Sequence, residues 1–269
     1  MAERGGIGEK EHAVARHLLA EHASRTPYHT LTGDLALADM AEAYRTQQAF
    51  ISQRREAAGS GIAGYKIALT SKAMQDFVGV DHPLLGAIFD DTVHASPAEI
   101  SLADFQRVGI EFELALRLGR DVPAAPAAYD AAGIAPFVDA VIPAFELVED
   151  RNAVYADFDA LSLVADNAWS AGVVLGGPVG DWRGLDLAST PTRLEANGEI
   201  ETATTGAALG SPLNALAWAA NELGAQGRPL SAGMIVMTGS TMKTRFPASG
   251  EAFRYEIESV GAVGLSILP

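Results

Sequence analysis

Residues 107–119 read RVGIEFELALRLG, and this stretch shows the alternation of apolar and other side chains that is typical of an extended strand. One face of the predicted strand takes Val108, Ile110, Phe112, Leu114, Leu116 and Leu118, and the other takes Gly109, Glu111, Glu113 and Ala115. Residues two apart in a strand are separated by about 6.6–6.8 Å, so the carboxylates of Glu111 and Glu113 can converge on one cation. The same pattern is common on the water-facing side of a sheet, and this segment alone leaves both interpretations open.

A second acidic segment lies at residues 139–151, which read DAVIPAFELVEDR. Glu146 falls inside its apolar part, where an unpaired carboxylate would be costly to bury. We therefore expect a partner for it, and a divalent ion held by this residue and the two strand glutamates is typical of Mg²⁺ or Mn²⁺, which prefer oxygen ligands. Glu149 could be a proton-transfer base or support the ligands, and a surface ion pair with Arg151 is the alternative.

Three other segments offer groups that could meet such a site. Lys66 interrupts an apolar run that ends in polar Ser71, and it could supply positive charge to a substrate carboxylate or enolate; an edge-strand lysine is the alternative. Gly239 and Ser240 follow a predicted strand and could donate an N–H and a hydroxyl to a carboxylate, and a tight turn is the alternative. Asn167 could reach the site or cap a turn.

Composition excludes several classes of protein. With 269 residues, 48% of them hydrophobic and 20% charged, the chain can form a large core and is not disordered. The net charge of −15 disfavours nucleic acid and anionic membranes as partners. The absence of cysteine excludes disulfides, zinc–thiolate sites, iron–sulfur clusters and a cysteine nucleophile. The charged, Gly-rich start is unlike a signal peptide, so we expect a cytoplasmic protein.

The chain is predicted to be an α+β protein in which a helical N-terminal arm, residues 1–60, precedes a β-rich catalytic body, residues 61–269. Hydrophobic spacing predicts arm helices at about residues 10–23 and 38–58. The body reads as short, mostly antiparallel strands, and Asn197-Gly198 is a strong hairpin signal. Only two later segments read as helices, residues 128–137 and 211–227, the second with Ser211 as its N-cap. Residues 121–133 read as a surface loop.

The arm also holds four histidines, which we expect to be mostly exposed and not to cluster as metal ligands. They are His12, His17, His22 and His29.

The ordered motifs of the body resemble those of a known family. They are GYKIALTSKAMQ (64–75), GVDHPLLG (79–86), IEFELAL (110–116), IPAFELVEDR (142–151), VADNAWSAG (164–172), GGPV (176–179), GSPLNALAWAANEL (210–223), AGMIVMTGS (232–240) and GAVGLSIL (261–268). From about Gln47 onward the chain resembles the 2-keto-4-pentenoate hydratase and 2-oxo-3-enedioate decarboxylase branch of the fumarylacetoacetate hydrolase superfamily.

The resemblance implies a β-rich fumarylacetoacetate-hydrolase-like fold, a homo-oligomer and a small-molecule 2-oxo or 2-hydroxydienoic acid as substrate. It implies a Mg²⁺ or Mn²⁺ held by Glu111, Glu113 and Glu146, with Lys66 at the 2-oxo-acid end of the substrate. Ser71, Asn167, Gly239 and Ser240 are the other candidate substrate-binding residues, and Glu149 is the candidate proton-transfer group.

One departure bears on the reaction. Hydratases of this branch usually have an acidic and then an aromatic residue after the proline of the second motif, whereas this chain has Leu84 and Leu85. The related decarboxylases usually have an aliphatic residue at the first position. We predict metal-assisted hydration of a 2-hydroxy-2,4-dienoate in aromatic meta-cleavage catabolism. Alternatives are decarboxylation of a 2-oxo-3-enedioate of the 4-oxalocrotonate type, an acylpyruvate hydrolase or oxaloacetate decarboxylase, and a non-catalytic binding partner.

Overall fold

The protein is represented by a computed structural model that describes residues 6–123 and 128–269. Part of the predicted surface loop, residues 124–127, lies outside the described residues. The helices are α1 (Glu9–Ser24), α2 (Met40–Ala58), α3 (Lys72–Val78), α4 (Ala131–Ile134), α5 (Ala160–Ala165) and α6 (Pro212–Ala225). The strands are β1 (Ile62–Ala68), β2 (Leu84–Phe89), β3 (Val93–Ala95), β4 (Ala98–Ile100), β5 (Val108–Leu118), β6 (Val138–Glu149), β7 (Ser170–Leu175), β8 (Pro191–Ala196), β9 (Glu199–Thr204), β10 (Ile235–Met237), β11 (Ala252–Ile257) and β12 (Gly261–Ile267).

Two sheets form the body. One has seven strands in the order β2-β1-β10-β5-β6-β7-β3, and the other has five in the order β4-β12-β11-β8-β9. The pairs β1–β10, β3–β7 and β4–β12 are parallel, and the other neighbouring pairs are antiparallel. The predicted α+β class with mostly antiparallel strands is confirmed.

The strand β5 alternates as its sequence predicts, but neither of its faces is mainly exposed to water. Phe112 lies in the larger core, where its ring is 5.7 Å from that of Phe145 and 5.8 Å from that of Tyr255 on β11. Ala115, on the other face, belongs to a smaller buried cluster with Ile142. The side of β5 that carries the glutamates is therefore partly enclosed.

Local signals place several elements correctly. The arm helices are confirmed, and α6 begins at Pro212 with Ser211 as its N-cap. Asn197 and Gly198 both have positive φ, at 54° and 80°, in the turn between β8 and β9, so the hairpin prediction is also confirmed. The segment at 128–137 contains α4 followed by a 3₁₀ turn.

The expectation of only two helices in the body is wrong, because α3 and α5 are also present. The first has seven residues between an N-cap at Ser71 and a left-handed Gly79, and the second has six residues behind an N-cap at Asp159. Helices this short span about two turns, so hydrophobic periodicity has little length over which to show. Among the described residues, none of the helices has the length and apolar character needed to cross a membrane.

Buried polar contacts join the arm helices to the body. Gln47 on α2 donates to the carbonyl oxygens of Leu85, at 2.6 Å, and Val164, at 3.0 Å. Arg151, which is fully buried, donates to Glu21 on α1 and to Asp166 after α5. The division of the chain at about residue 60 stays a prediction.

We expect Arg151→Leu to lower the free energy of unfolding by about 3–5 kcal/mol, because it leaves the buried carboxylates of Glu21 and Asp166 without their cation. The matched control is Arg193→Leu, which removes a partly exposed pair with Glu195 and should change stability by less than about 1 kcal/mol. Urea unfolding of both variants measures the difference. Equal effects would contradict the structural role given to Arg151.

Candidate active site

The pairing of β5 with β6 brings three carboxylates together. Glu111 lies directly opposite Glu146 in the antiparallel register, and Glu113 is two residues farther along the same face of β5. One carboxylate oxygen from each of the three lies within 4.8 Å of the others. Glu113 and Glu146 are buried, at 0% and 1% exposure, and Glu111 is half-buried. The water-facing alternative therefore does not hold for this face.

The protein supplies few hydrogen bonds to these carboxylates. Glu113 Oε2 accepts from the N–H of Gly239 at 2.8 Å, and Glu111 Oε1 accepts from the hydroxyl of Thr244 at 2.6 Å. Glu113 Oε1 and Glu146 Oε2 have no hydrogen-bond partner among the described residues, and Glu146 Oε1 contacts the ammonium group of Lys66. Buried acceptors without partners are costly, so the cluster fits a bound cation. Its all-oxygen donor set is the one that Mg²⁺ and Mn²⁺ prefer.

Lys66 adds a buried positive charge beside the carboxylates. Its Nζ lies 2.8 Å from Glu146 Oε1, and the two groups form a buried ion pair. The lysine is on β1 between β2 and β10, so it is not on the edge of the sheet. Gly86 lies opposite it, where an added Cβ would come within 3.2 Å of Lys66 Cε and 2.6 Å of the backbone oxygen of Asn167. The glycine therefore leaves room for the lysine stem.

Burial and mutual repulsion shift the acidity of the cluster. Burial raises the pKa of Glu113 well above its usual range, and the charges of Glu146 and Glu111 raise it further. Burial also raises the pKa of Glu146, an effect that Lys66 opposes and Glu111 reinforces. In the absence of a cation, the cluster therefore retains protons at a higher pH than exposed glutamates do.

A cavity of about 640 Å³ opens onto Lys66 and Glu111. Hydroxyl groups of Thr70, Ser71 and Ser240 also line its wall. The wall includes large apolar and aromatic side chains as well, from Met74, Tyr155, Phe158, Trp169, Met242 and Phe246. The cavity thus combines charged and hydroxyl groups with apolar surface, which suits a small acid with a hydrocarbon tail.

Three of the predicted substrate-binding residues lie at this cavity or support it. Ser71 lines it and accepts from the N–H of Met74, and Ser240 lines it and accepts from the N–H of Phe112. Gly239, with φ at 103°, supports Glu113 through its N–H.

Two predicted site residues lie elsewhere. Both polar atoms of the Asn167 side chain bind the backbone of Ala87, at 2.7 and 2.9 Å, and Asn167 does not line the cavity. Glu149 accepts from the N–H of Gln106 at 2.6 Å and does not line the cavity either. It is three residues from Glu146 in one strand, which places the two side chains on opposite faces. Nor does Glu149 pair with Arg151, which is buried against Glu21 and Asp166.

Sequence reasoning missed several residues at the site, among them Thr244, Tyr155 and Phe158. Thr244 ends the hydroxyl-rich segment 238–244, and that enrichment was the available signal. The two aromatic residues follow the acidic end of β6 in a segment without regular periodicity.

Leu84 is fully buried and pairs across the sheet with Ala68, two residues from the Gly86–Lys66 pair. The position at which hydratases usually have an acid is thus close to the site but holds a side chain that cannot transfer a proton.

The expectation for the arm histidines is wrong in two respects. His12, His17 and His22 are half-buried, and His29 alone of the four is exposed. His17 and His29 also cluster with Glu21. The helical spacing of four residues places His17 and Glu21 on one face of α1, and the chain turns back after α1 to bring His29 to them.

Comparisons with known proteins agree with this architecture. The profile of the family described as Fumarylacetoacetate (FAA) hydrolase C-terminal matches residues 49–267. A 2-keto-4-pentenoate hydratase of Paraburkholderia xenovorans (strain LB400) is 36% identical over 217 residues, 80% of each chain. A 4-oxalocrotonate decarboxylase of Pseudomonas putida is 31% identical over 252 residues, 93% of this chain and 94% of the relative. The solved 4-oxalocrotonate decarboxylase from Pseudomonas putida G7, complexed with magnesium and adipate, has a TM-score of 0.88 and 28% identity, covering 97% of this chain and 98% of that chain.

We expect Mg²⁺ to bind with release of protons and with an affinity that rises between about pH 6 and pH 8, because protons compete for carboxylates whose pKa is raised. Calorimetric titration in two buffers of different ionisation heat counts the protons. Glu113→Gln should weaken binding and reduce the number released. A pH-independent affinity would contradict the shifted acidity of the cluster.

We expect Gly86→Ala to lower the free energy of unfolding by about 1–3 kcal/mol, since its Cβ would overlap the backbone oxygen of Asn167 and press on Lys66. Gly184→Ala is the control, because an added Cβ there meets nothing within 4 Å. Chemical unfolding compares the two. A Gly86→Ala protein as stable as the control would show that the lysine does not need this space.

Proposed function

Because the chain belongs to the fumarylacetoacetate hydrolase family, we propose that it is a metal-dependent hydratase that adds water to a 2-hydroxy-2,4-dienoate. The product is a 4-hydroxy-2-oxo acid, and the step belongs to aromatic meta-cleavage catabolism. The observation that carries the proposal is the buried cluster of Glu111, Glu113 and Glu146 beside Lys66, at a cavity whose wall also includes large apolar side chains. Relatives that are 2-keto-4-pentenoate hydratases support the choice of reaction.

The three glutamates are the residues that would hold the metal. Their unpartnered oxygens and the lack of nitrogen or sulfur donors in the cluster suit Mg²⁺, with Mn²⁺ as the alternative. A related solved structure contains magnesium, which supports the first choice. When bound, the ion supplies Lewis-acid polarisation of the substrate's 2-oxo-acid end.

The chain's own groups bind and orient the substrate. Lys66 places an ammonium group beside the oxygen at carbon 2 of the substrate. Negative charge develops on that oxygen when the dienol loses its hydroxyl proton before carbon 5 is protonated, and again when water attacks carbon 4. The hydroxyls of Thr70 and Ser71 line the same cavity and can donate to the substrate carboxylate. Protonation at carbon 5 leaves a conjugated enone, and water then adds its hydroxyl group to carbon 4 and its proton to carbon 3.

The predicted proton-transfer role of Glu149 stays a prediction, and its placement gives it no direct access to the cavity. The residue also offers a matched control for the metal ligands. It carries the same carboxylate on the same β5–β6 pair of strands, but its side chain lies on the opposite face of β6 from that of Glu146.

A second candidate function is decarboxylation of a 2-oxo-3-enedioate. Leu84 occupies the position at which hydratases usually have an acidic residue. Lys243 on the cavity wall could bind the second carboxylate of such a substrate. A 4-oxalocrotonate decarboxylase structure is also similar over nearly the whole chain.

The proposal extends to a homo-oligomer. Phe77, Val154 and Phe246 are large apolar side chains that are 56%, 61% and 49% exposed, and such exposure favours burial between subunits. The expected cytoplasmic location stays a prediction.

We expect the purified protein with Mg²⁺ to consume 2-hydroxypenta-2,4-dienoate, seen as loss of dienol absorbance, with a product heavier by one water. Glu111→Gln should lower kcat/KM by roughly 10² or more, because it removes a metal ligand that also faces the cavity. Glu149→Gln should retain most activity; a loss of about 10² or more would restore Glu149 as the proton-transfer group.

The competing substrate for this assay is 2-oxohex-3-enedioate. Release of carbon dioxide from this dicarboxylate, with the dienol left unchanged, would contradict hydration and favour the decarboxylase.

A further inference from the structure

A second cluster of ligand-type side chains lies on the arm, away from the cavity. His17 Nε2 is 3.0 Å from Glu21 Oε1, and His29 Nε2 is 3.1 Å from the same oxygen. All three atoms lie within 4.8 Å of one another. Ligand atoms around a tetrahedral zinc ion, with bonds of about 2.0–2.1 Å, are separated by roughly 3.3 Å. The three side chains thus have nearly the spacing of ligands to one ion.

The hydrogen bonds around the cluster leave its ligand atoms directed at one another. Glu21 is 6% exposed, and its Oε2 accepts from Arg151 at 3.2 Å, which leaves Oε1 for the two imidazoles. His29 Nδ1 lies 3.4 Å from the carbonyl oxygen of Pro27, so the tautomer of His29 with its ring proton on Nδ1 can donate to that oxygen. The lone pair of His29 Nε2 then faces the carboxylate oxygen.

His17 provides an independent sign of a missing partner. Its Nε2 is shielded from solvent and, apart from the 3.0 Å contact with Glu21 Oε1, has no hydrogen-bond partner within the part of the chain that the structure describes. When the ring protons are on the Nδ1 atoms, both imidazoles direct an Nε2 lone pair at the same carboxylate oxygen, and a cation between them stabilises this arrangement.

The charges around the cluster also favour a cation. Arg151 donates to both Glu21 and Asp166, so one buried positive charge faces two buried carboxylates. His22 Nε2 also contacts this second carboxylate, 2.6 Å from Asp166 Oδ1. A divalent ion at Glu21 would add positive charge beside the two buried carboxylates.

We propose that His17, Glu21 and His29 form a second metal site, which takes Zn²⁺ or another divalent transition-metal ion that prefers imidazole. The donor set of two imidazoles and one carboxylate distinguishes it from the all-oxygen cluster on β5 and β6. The spacing of four residues on α1 presents His17 and Glu21 to one ion, and His29 closes the site from the segment after the helix.

The site binds the arm to the wall of the cavity. His29 follows Tyr28, whose ring meets that of Trp169 edge-on at 5.0 Å, and Trp169 lines the cavity. Glu21 connects the ion through Arg151 to the end of β6. The metal therefore has a structural role, holding residues 25–30 against α1 and the body.

The test is a calorimetric titration of Zn²⁺ into chelator-treated full-length protein that is kept in excess Mg²⁺, so that the carboxylate cluster is occupied. We expect one equivalent of Zn²⁺ to bind, and His17→Ala and His29→Ala each to weaken binding by more than about tenfold. His94→Ala is the control, since it removes an exposed histidine of β3 and should leave binding unchanged. The Co²⁺-substituted protein should show the absorption spectrum of a site with nitrogen ligands, and this spectrum should be lost in both arm variants.

Failure to bind Zn²⁺, or binding that survives both arm substitutions, would overturn the proposal and leave direct contacts of the two imidazoles with Glu21 as the explanation of the cluster. His29 is half-exposed, with 52% of its side chain accessible, so its substitution should not prevent folding and decides the matter even if His17→Ala does not fold. The result is independent of the proposed hydratase activity, which is measured in the presence of Mg²⁺ alone.

Discussion

The mutual repulsion of Glu111, Glu113 and Glu146 is the constraint that the rest of the structure depends on. A strand pairing that places two glutamates opposite each other is unfavourable by itself, and burial makes it more so. The pairing is maintained because the opposite face of β5 belongs to the large core, where Phe112 packs between Phe145 and Tyr255. A slip of one residue in the pairing of β5 with β6 would move these aromatic rings out of the core. The packing of the core therefore sets the register of the two strands, although the repulsion between the carboxylates opposes that register.

Several neighbouring groups lower the free-energy cost of burying these three carboxylates. Lys66 brings one positive charge close to it, and Gly86 makes the approach possible by leaving space for the lysine stem. The backbone N–H of Gly239 and the hydroxyl of Thr244 each bind one carboxylate. These contacts leave some of the buried carboxylate oxygens without a partner, and a divalent cation would bind those oxygens.

The sequence predicted the parts of the fold and site that depend on local patterns. Alternation in residues 107–119 placed Glu111 and Glu113 on one face, and the apolar surroundings of Glu146 indicated that it would be buried. The opposite faces of Glu146 and Glu149 followed from their odd spacing in one strand, a signal that was available but not used.

Features that depend on tertiary contacts were not accessible in this way. The side chain of Asn167 is occupied by the backbone of Ala87, eighty positions earlier in the chain. His29 reaches His17 and Glu21 only because the chain reverses after α1. Tyr155 and Phe158 lie in a segment whose course is set by packing against Trp169, not by its own periodicity.

The charged and the aromatic residues of the cavity come from different parts of the fold, and this difference has an evolutionary consequence. Lys66 and Glu111 come from paired strands in the middle of a sheet, whereas Tyr155, Phe158 and Trp169 come from the irregular segments around α5. Loops tolerate substitution and insertion more readily than paired strands do. Selection can therefore alter the preferred tail of the substrate, or add a group that recognises a second carboxylate, without disturbing the residues that handle the 2-oxo acid. A gene duplication in such a scaffold could diverge in substrate range while keeping its inherited chemistry.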